Sequence, residues 1–230
     1  MFWARFLRPL FRFRLIYDMH SSLPQQLVNF RFTRSRLLIG AFKWLEDSCL
    51  RAADAVITIC PGLRDYALAA GVPADRHLLI ENSVIEAVRL ARTPAAGAAT
   101  AGAAAPTVPD FSRPTILYAG TFEAYQGVDL LVRAFARIAA QQRDCALVIA
   151  GGTPEQVEGI RSVARELGVS DRVVLTGRVG KSEASLYTRQ ATVLVSPRLH
   201  GTNTPLKIYE QLASGRPLVA TRIWSHTQVL

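Results

Sequence analysis

The chain has 230 residues, half of them hydrophobic, with a formal charge of +9, enough material for one large core or two modest ones. No apolar run approaches the roughly 20 residues that span a bilayer. Cys49, Cys60 and Cys145 are too few and too scattered for a disulfide framework or a metal site, so a reducing cytosol is expected.

The charge is uneven: residues 1–51 hold nine Lys and Arg against Asp18, Glu46 and Asp47, a net +6. The opening "MFWARFLRPLFRFRLIY" interleaves aromatic residues with arginines, which breaks the apolar core that a signal peptide needs. Residues 1–14 read in one of two ways. They lie on an anionic membrane surface, with Phe2, Trp3, Phe6 and Leu10 inserted and the arginines at headgroups, or they form an outer helix whose arginine stems cover apolar neighbours. Pro9 is expected to interrupt that helix, which weakens the membrane reading. No recognition motif accompanies the charge, so nucleic acid is not expected.

The next elements alternate. "LIYDMHS" (15–21) reads as a strand running into a polar turn that carries His20. Position alone leaves His20 either a partly buried, capped histidine or a functional one. An amphipathic stretch covers Thr33 to Ala52, "DAVITI" (54–59) is a strand, "PGLRDYALAA" (61–70) a short helix stopped by Gly71, and "HLLIENSV" (77–84) a strand. Residues 93–112, "TPAAGAATAGAAAPTVPDFS", are low in complexity and carry one charge, as a linker or surface insertion does.

Beyond it come the strand "TILYAG" (115–120), a helix from Asp129 to about Gln141, and the strand "ALVIAGG" (146–152). A helix from Glu155 to Leu167, the strand "RVVLTG" (172–177), a helix from Lys181 to Gln190 and the strand "ATVLVSP" (191–197) follow. Continuous apolar strands separated by helices predict an α/β fold with parallel sheets buried on both faces. In such sheets ligands lie beyond the carboxyl ends of the strands.

The stretch "HGTNTPLKIYEQLASGRPLVAT" (200–221) begins at one of those ends. Asn203 or Thr204 can cap a helix whose first residue is Pro205, Gly215 stops it, and "PLVAT" (217–221) is the next strand. A small polar loop at a helix N-terminus can hold an anion.

Together, "DAVITICPGLRDYALAAGVPADRHLLIENSV", "ILYAGTFEAYQGVDLLVRAFA", "LVIAGG", "RVVLTGRV" and "TPLKIYEQLASGRPLVAT" resemble the retaining glycosyltransferases of family 4. That family has the GT-B fold of two facing Rossmann-like lobes. The resemblance runs from about Leu15 to the end, apart from the Ala-rich segment. It implies residues 1–92 as the C-terminal part of an acceptor-side N-terminal lobe, 93–112 as linker or insertion, and 113–230 as the nucleotide-sugar-binding lobe. It implies transfer of a sugar from a UDP- or GDP-linked donor to a sugar, lipid-linked or other acceptor with retained configuration, without metal or other cofactor. The protein would then be cytoplasmic, either free or peripheral on the inner membrane face.

The residue-level match is mixed. Glu210 matches the second of two family glutamates spaced eight apart, which binds the nucleotide ribose; the first would fall at Thr202 and is missing. The arginine and lysine that hold the diphosphate after the first strand of this lobe are replaced by Thr121 and Gln126, following Gly120. Arg178 and Val179 match the turn that receives the base, and His20 the first-lobe histidine near acceptor and reacting sugar. Lys207 is the best replacement cation, on one helical face with Asn203 and Glu210, and Arg198 the next. The alternative for Lys207 is an i, i+3 ion pair with Glu210.

On this reading Gly201, Thr202, Asn203 and Thr204, with the following helix start, hold the diphosphate, and no protein nucleophile is needed. The site is expected in a cleft between the lobes, with His20 on the opposite wall. The first lobe is expected to lack strands and the second to stop short, so the chain reads as a poorly soluble, weakly active fragment. Rival readings are a GT-B nucleotide-sugar epimerase and a non-catalytic nucleotide-sugar-binding or membrane-surface module.

Overall fold

The computed structural model describes residues 3–29, 33, 35–81, 109–201 and 203–230. Phe2, Thr202, the end of the expected strand 77–84 and residues 93–108 of the low-complexity segment lie outside them. The chain forms two compact units. One gathers Met1–Asn82, Gly201–Pro205 and Thr227–Leu230; the other gathers Ser83–His200 and Leu206–His226.

The first unit is built on three parallel strands, β1 (Ile16–Met19), β2 (Ala55–Thr58) and β3 (His77–Leu79), in that order. The helices Arg36–Ala52 and Pro61–Ala69 deliver Leu50, Leu63 and Ala67 to a core shared with Met19 and Val56. The helix Ala4–Phe11 runs on past Pro9, contrary to expectation. Its closing bond, from the Arg12 amide to the Arg8 carbonyl at 2.8 Å, lies beyond the proline and does not use the missing N–H. The helix is fastened by Arg8, which donates to Asp54 at 2.5 Å and to the Ala52 carbonyl at 3.1 Å. A helix absent from the sequence reading, Leu23–Asn29, begins where buried Glu46 accepts from the Ser22 hydroxyl and the Leu23 amide. Its N-terminal bonding thus comes from a residue on another helix.

The second unit is a five-stranded, all-parallel sheet of β4 (Thr115–Ala119), β5 (Ala146–Ala150), β6 (Val173–Gly177), β7 (Val193–Ser196) and β8 (Leu218–Ala220). The order is β6-β5-β4-β7-β8. Alternate residues serve opposite faces, as a strand's period of two requires. Tyr118, Leu147 and Ile149 pack with Phe135 and Val132 of the helix Val128–Gln141 and with Ala164 of the helix Pro154–Glu166. Leu117, Val148 and Leu194 pack with Tyr187 of the helix Lys181–Gln190. Burial on both faces is the arrangement the continuous apolar runs predict. The helix Leu206–Ala213 starts one residue later than expected, and a short helix, Trp224–Thr227, was not expected at all. Ile16 on edge strand β1 is 59% exposed and Val219 on edge strand β8 is 61% exposed.

Candidate functional site

The strand order of the second unit reverses between β4 and β7, and a crevice at the carboxyl ends of such a pair is where open α/β sheets bind ligands. The two loops that leave these strands are joined: the Leu199 amide donates to the Tyr125 carbonyl at 2.8 Å. Gly127 starts the following helix with φ +67°, and a Cβ there would come within 2.2 Å of the Pro197 carbonyl oxygen. No side chain fits that close approach, in that backbone conformation.

Lys207 reaches into this place from the first turn of the helix Leu206–Ala213. Its ammonium donates to Gln126 Oε1 at 3.3 Å and stands 4.4 Å from the centre of the Tyr118 ring. A Cβ on Gly120 would sit 3.2 Å from that ammonium and 2.9 Å from the Tyr118 hydroxyl oxygen. Three residues expected at a common site, Gly120, Gln126 and Lys207, are therefore brought together. The ion pairs of the described residues do not include Lys207 with Glu210, so the helical-pair alternative is not adopted. The Lys207 pKa is lowered to about 8, by burial first and then by the Arg198 charge, while Glu123 opposes the shift. Arg198, at the end of β7, lies with its guanidinium 5.2 Å from the Tyr125 ring centre and donates from Nε to the His200 carbonyl at 2.9 Å. Burial lowers its pKa as well. Tyr118 donates to the Thr121 carbonyl at 2.6 Å and so holds the exposed Thr121 loop.

The remaining expected residues are placed elsewhere or singly. Arg178, exposed, and Val179, packed against the core cluster that contains Leu117 and Tyr187, follow β6 at the edge of the sheet. Glu210 is exposed on the helix Leu206–Ala213. Gly201, Asn203 and Thr204 belong to the first unit. There Asn203 Nδ2 donates to the His20 carbonyl at 2.8 Å, and the Thr204 hydroxyl accepts from Gln228 Nε2 at 2.5 Å. His20 Nε2 lies 3.1 Å from Asp18 Oδ2, both side chains exposed. Of the N-terminal residues expected at a membrane, Trp3, Phe6 and Leu10 are exposed, whereas Arg8 is committed to Asp54.

Sequence reasoning missed Tyr118 and Tyr125, whose rings face the two cations. Tyr118 is read as core within "TILYAG", and nothing local marks its hydroxyl as functional. It also missed His226, buried beside β7 and β8, although "SHTQ" just after a strand is a polar cluster at the end where ligands bind. Among the described residues no three His, Cys, Asp or Glu side chains gather as a metal site, and no helix is long and apolar enough to cross a membrane.

The model of the family described as "Glycosyl transferases group 1" matches residues 113–230, and that of "Glycosyl transferase 4-like domain" matches residues 1–83. The chain is 29% identical to the alpha-D-kanosaminyltransferase of Streptomyces kanamyceticus over 77% of its own length and 45% of that protein. It is 28% identical to the alpha-maltose-1-phosphate synthase of Mycolicibacterium smegmatis over 94% of its length and 57% of that protein. It thus spans about half the length of these curated relatives. Its fold matches that of Anabaena HepE, solved in complex with UDP, at a TM-score of 0.71 and 14% identity, covering 100% of this chain and 59% of that one. It also matches sucrose-phosphate synthase from Thermosynechococcus elongatus at 0.65 and 23% identity, covering 96% and 54%. The parallel sheets are thus those of the GT-B glycosyltransferases, and the chain belongs to the glycosyl transferases group 1 family.

Proposed function

We propose that the protein takes part in transferring a sugar from a nucleotide-sugar to an acceptor in glycan or glycolipid synthesis, and that the β4–β7 switch point receives the donor's diphosphate. The observation that carries this reading is the setting of Lys207. A partly buried ammonium beside a glycine, a neutral amide and an aromatic ring, in no ion pair among the described residues and with only the Glu123 charge to offset its burial, is left with desolvation that a directly bound anion would repay. A diphosphate supplies that anion. Arg198 adds a second positive charge at the same strand ends.

Cleavage of the sugar–phosphate bond gathers negative charge on the departing diphosphate. Cations already in place stabilise that charge more in the transition state than in the ground state. Glu210 is assigned to the ribose hydroxyls and the Arg178–Val179 turn to the base. In the first unit, Asp18 orients the His20 ring, and the His20 turn is assigned to the acceptor and the reacting sugar. Retention of configuration, without a protein nucleophile and without a metal, is part of the proposal.

Calorimetry with UDP, GDP and a panel of their sugars, followed by a transfer assay with anomeric analysis of the product, tests it. Binding with transfer and retention is expected. An isomerised sugar in place of a transferred one would assign the site to an epimerase, and binding without turnover would make it a recognition module. Absence of nucleotide binding would remove the reading altogether.

A further inference from the structure

We infer that His226 is a positioning residue for the diphosphate site, a buried strut that joins the carboxyl ends of β7 and β8 and so fixes where Arg198 stands. The inference rests on the reading of the switch point given above. His226 lies in the short helix after β8 and is 1% exposed. Its Nδ1 is 2.8 Å from the Thr221 carbonyl oxygen. A carbonyl can only accept, so Nδ1 carries the proton and Nε2 is left to accept from the Ser196 hydroxyl at 3.1 Å. Ser196 is the last residue of β7 and is fully buried.

From this ring the connection continues to the cation. The Thr221 amide donates to the Ser196 carbonyl at 3.1 Å, and the Thr221 hydroxyl donates to the Arg198 carbonyl. The backbone of Arg198 is therefore held by Thr221, and Thr221 is held by His226. Both ring nitrogens are satisfied inside the protein, so the ring has nothing left to offer a ligand directly. Burial keeps it neutral, as do the Arg198 and Lys207 charges that face it, although the Thr221 carbonyl acts in the opposite sense. A neutral ring in this tautomer suits a strut and adds no third charge to the pair.

A histidine that serves the fold alone would also be buried and hydrogen-bonded. The two roles separate in what a ligand senses. A strut for Arg198 matters to phosphate, whereas a loss of general stability weakens every part of the ligand alike. Wild type, H226A and H226N are titrated with UDP and GDP by calorimetry and with uridine and guanosine by NMR. H226A is expected to weaken the diphosphate about tenfold, the size of one charge-assisted contact, with nucleoside affinity within about twofold of wild type. H226N, whose amide N–H can still reach the Thr221 carbonyl, is expected to recover most of that loss. Thr221→Val removes only the hydroxyl that holds the Arg198 carbonyl, and it should reproduce the H226A selectivity even if H226A does not fold. Unchanged diphosphate affinity in H226A or T221V, or an equal loss for nucleoside and diphosphate, would overturn the role of His226 while leaving the site in place. A wild type that binds neither nucleotide would overturn the site and, with it, this role.

Discussion

Replacing Lys207 with Met keeps the bulk of the side chain and removes its charge, which makes it the sharpest test of the switch-point reading. Two unit charges at about 4 Å interact by about 4 kcal/mol at an effective dielectric near 20, and a charge-assisted hydrogen bond contributes about 1.5–3 kcal/mol net. With its pKa at about 8 the ammonium is mostly protonated at pH 7, so little of this is spent on charging it. The expected loss is about 2–3 kcal/mol, or roughly 30- to 150-fold in Kd for UDP or GDP, whichever binds more tightly. Wild-type affinity should also fall above about pH 8 as the ammonium deprotonates, and K207M should show no such fall. Stability should move the other way. The folded pKa lies below the ordinary 10.5, so the unfolded chain holds more protons between about pH 8 and 10.5, and wild-type stability rises with pH across that window. K207M lacks the penalty of burying a charge. It should melt higher than wild type at pH 7, by a margin on the order of 1–2 kcal/mol after solvent screening, and that margin should close by about pH 10.5. Calorimetry at several pH values and thermal melts read both effects. A K207M protein that binds the diphosphate as well as wild type, or that melts lower at pH 7, would refute the reasoning.

Three further outcomes are expected. Gly120→Ala would put a methyl group 3.2 Å from the Lys207 ammonium and 2.9 Å from the Tyr118 hydroxyl, and diphosphate titration should register a weakening of about tenfold as the lysine is displaced. Glu210→Gln should cost UDP or GDP about tenfold in calorimetry yet leave the 2′,3′-dideoxy analogue unaffected, since the carboxylate is assigned to the ribose hydroxyls. Asp54→Asn should lower the melting temperature at neutral pH, because it removes the charge and leaves one acceptor oxygen for two donors, Arg8 and the Leu15 amide. The Leu15 amide, first, and Arg8 hold the Asp54 pKa below its ordinary 3.8, so this stabilisation is fully present above that value. It is lost as pH falls through the lower folded value, and melts of mutant and wild type should converge there.

The strands were legible because parallel sheets write their burial as continuous apolar runs. β4, β5, β6, β7 and β8 each lie inside a run that the sequence marks, within one or two residues at the ends. The helices Leu23–Asn29 and Trp224–Thr227 escaped because they are too short to show a period. The first of them also takes its N-terminal partner from Glu46 on another helix. Pro9 misled because a proline mark on paper takes no account of which bonds an eight-residue helix actually needs. At the site, Lys207 was legible as a cation on the right helix, but its direction was not. Spacing alone offers Glu210 as a partner three residues on, and the choice of Gln126 is made by a loop 81 positions away. Tyr118 meets Lys207, His226 meets Ser196 and Thr221 meets Arg198 through contacts of that long-range kind. "SHTQ" marks a polar cluster after a strand, but its sequence does not say what His226 faces.

The two losses of charge after β4 and the two cations after β7 form one arrangement. Thr121 and Gln126 stand where an arginine and a lysine would be expected, and had both been retained, Lys207 and Arg198 would have faced like charges across the same crevice. With Gln126 neutral and buried, its amide oxygen can accept from Lys207 and hold the ammonium in place, which another cation could not do. The positive charge is thus carried by the β7 end and the helix that follows it, while the β4 loop contributes shape through Gly120 and aromatic faces through Tyr118 and Tyr125. Restoring the expected lysine tests this directly. Gln126→Lys should raise no affinity for the diphosphate and should lower stability, because it sets a second ammonium about 3 Å from the first with no anion between them. Adding Lys207→Gln to that variant exchanges the two residues and relieves the clash, so the double variant should recover stability and part of the affinity. If Q126K alone binds more tightly than wild type, the two charge systems are additive, and Lys207 is no substitute for the missing pair.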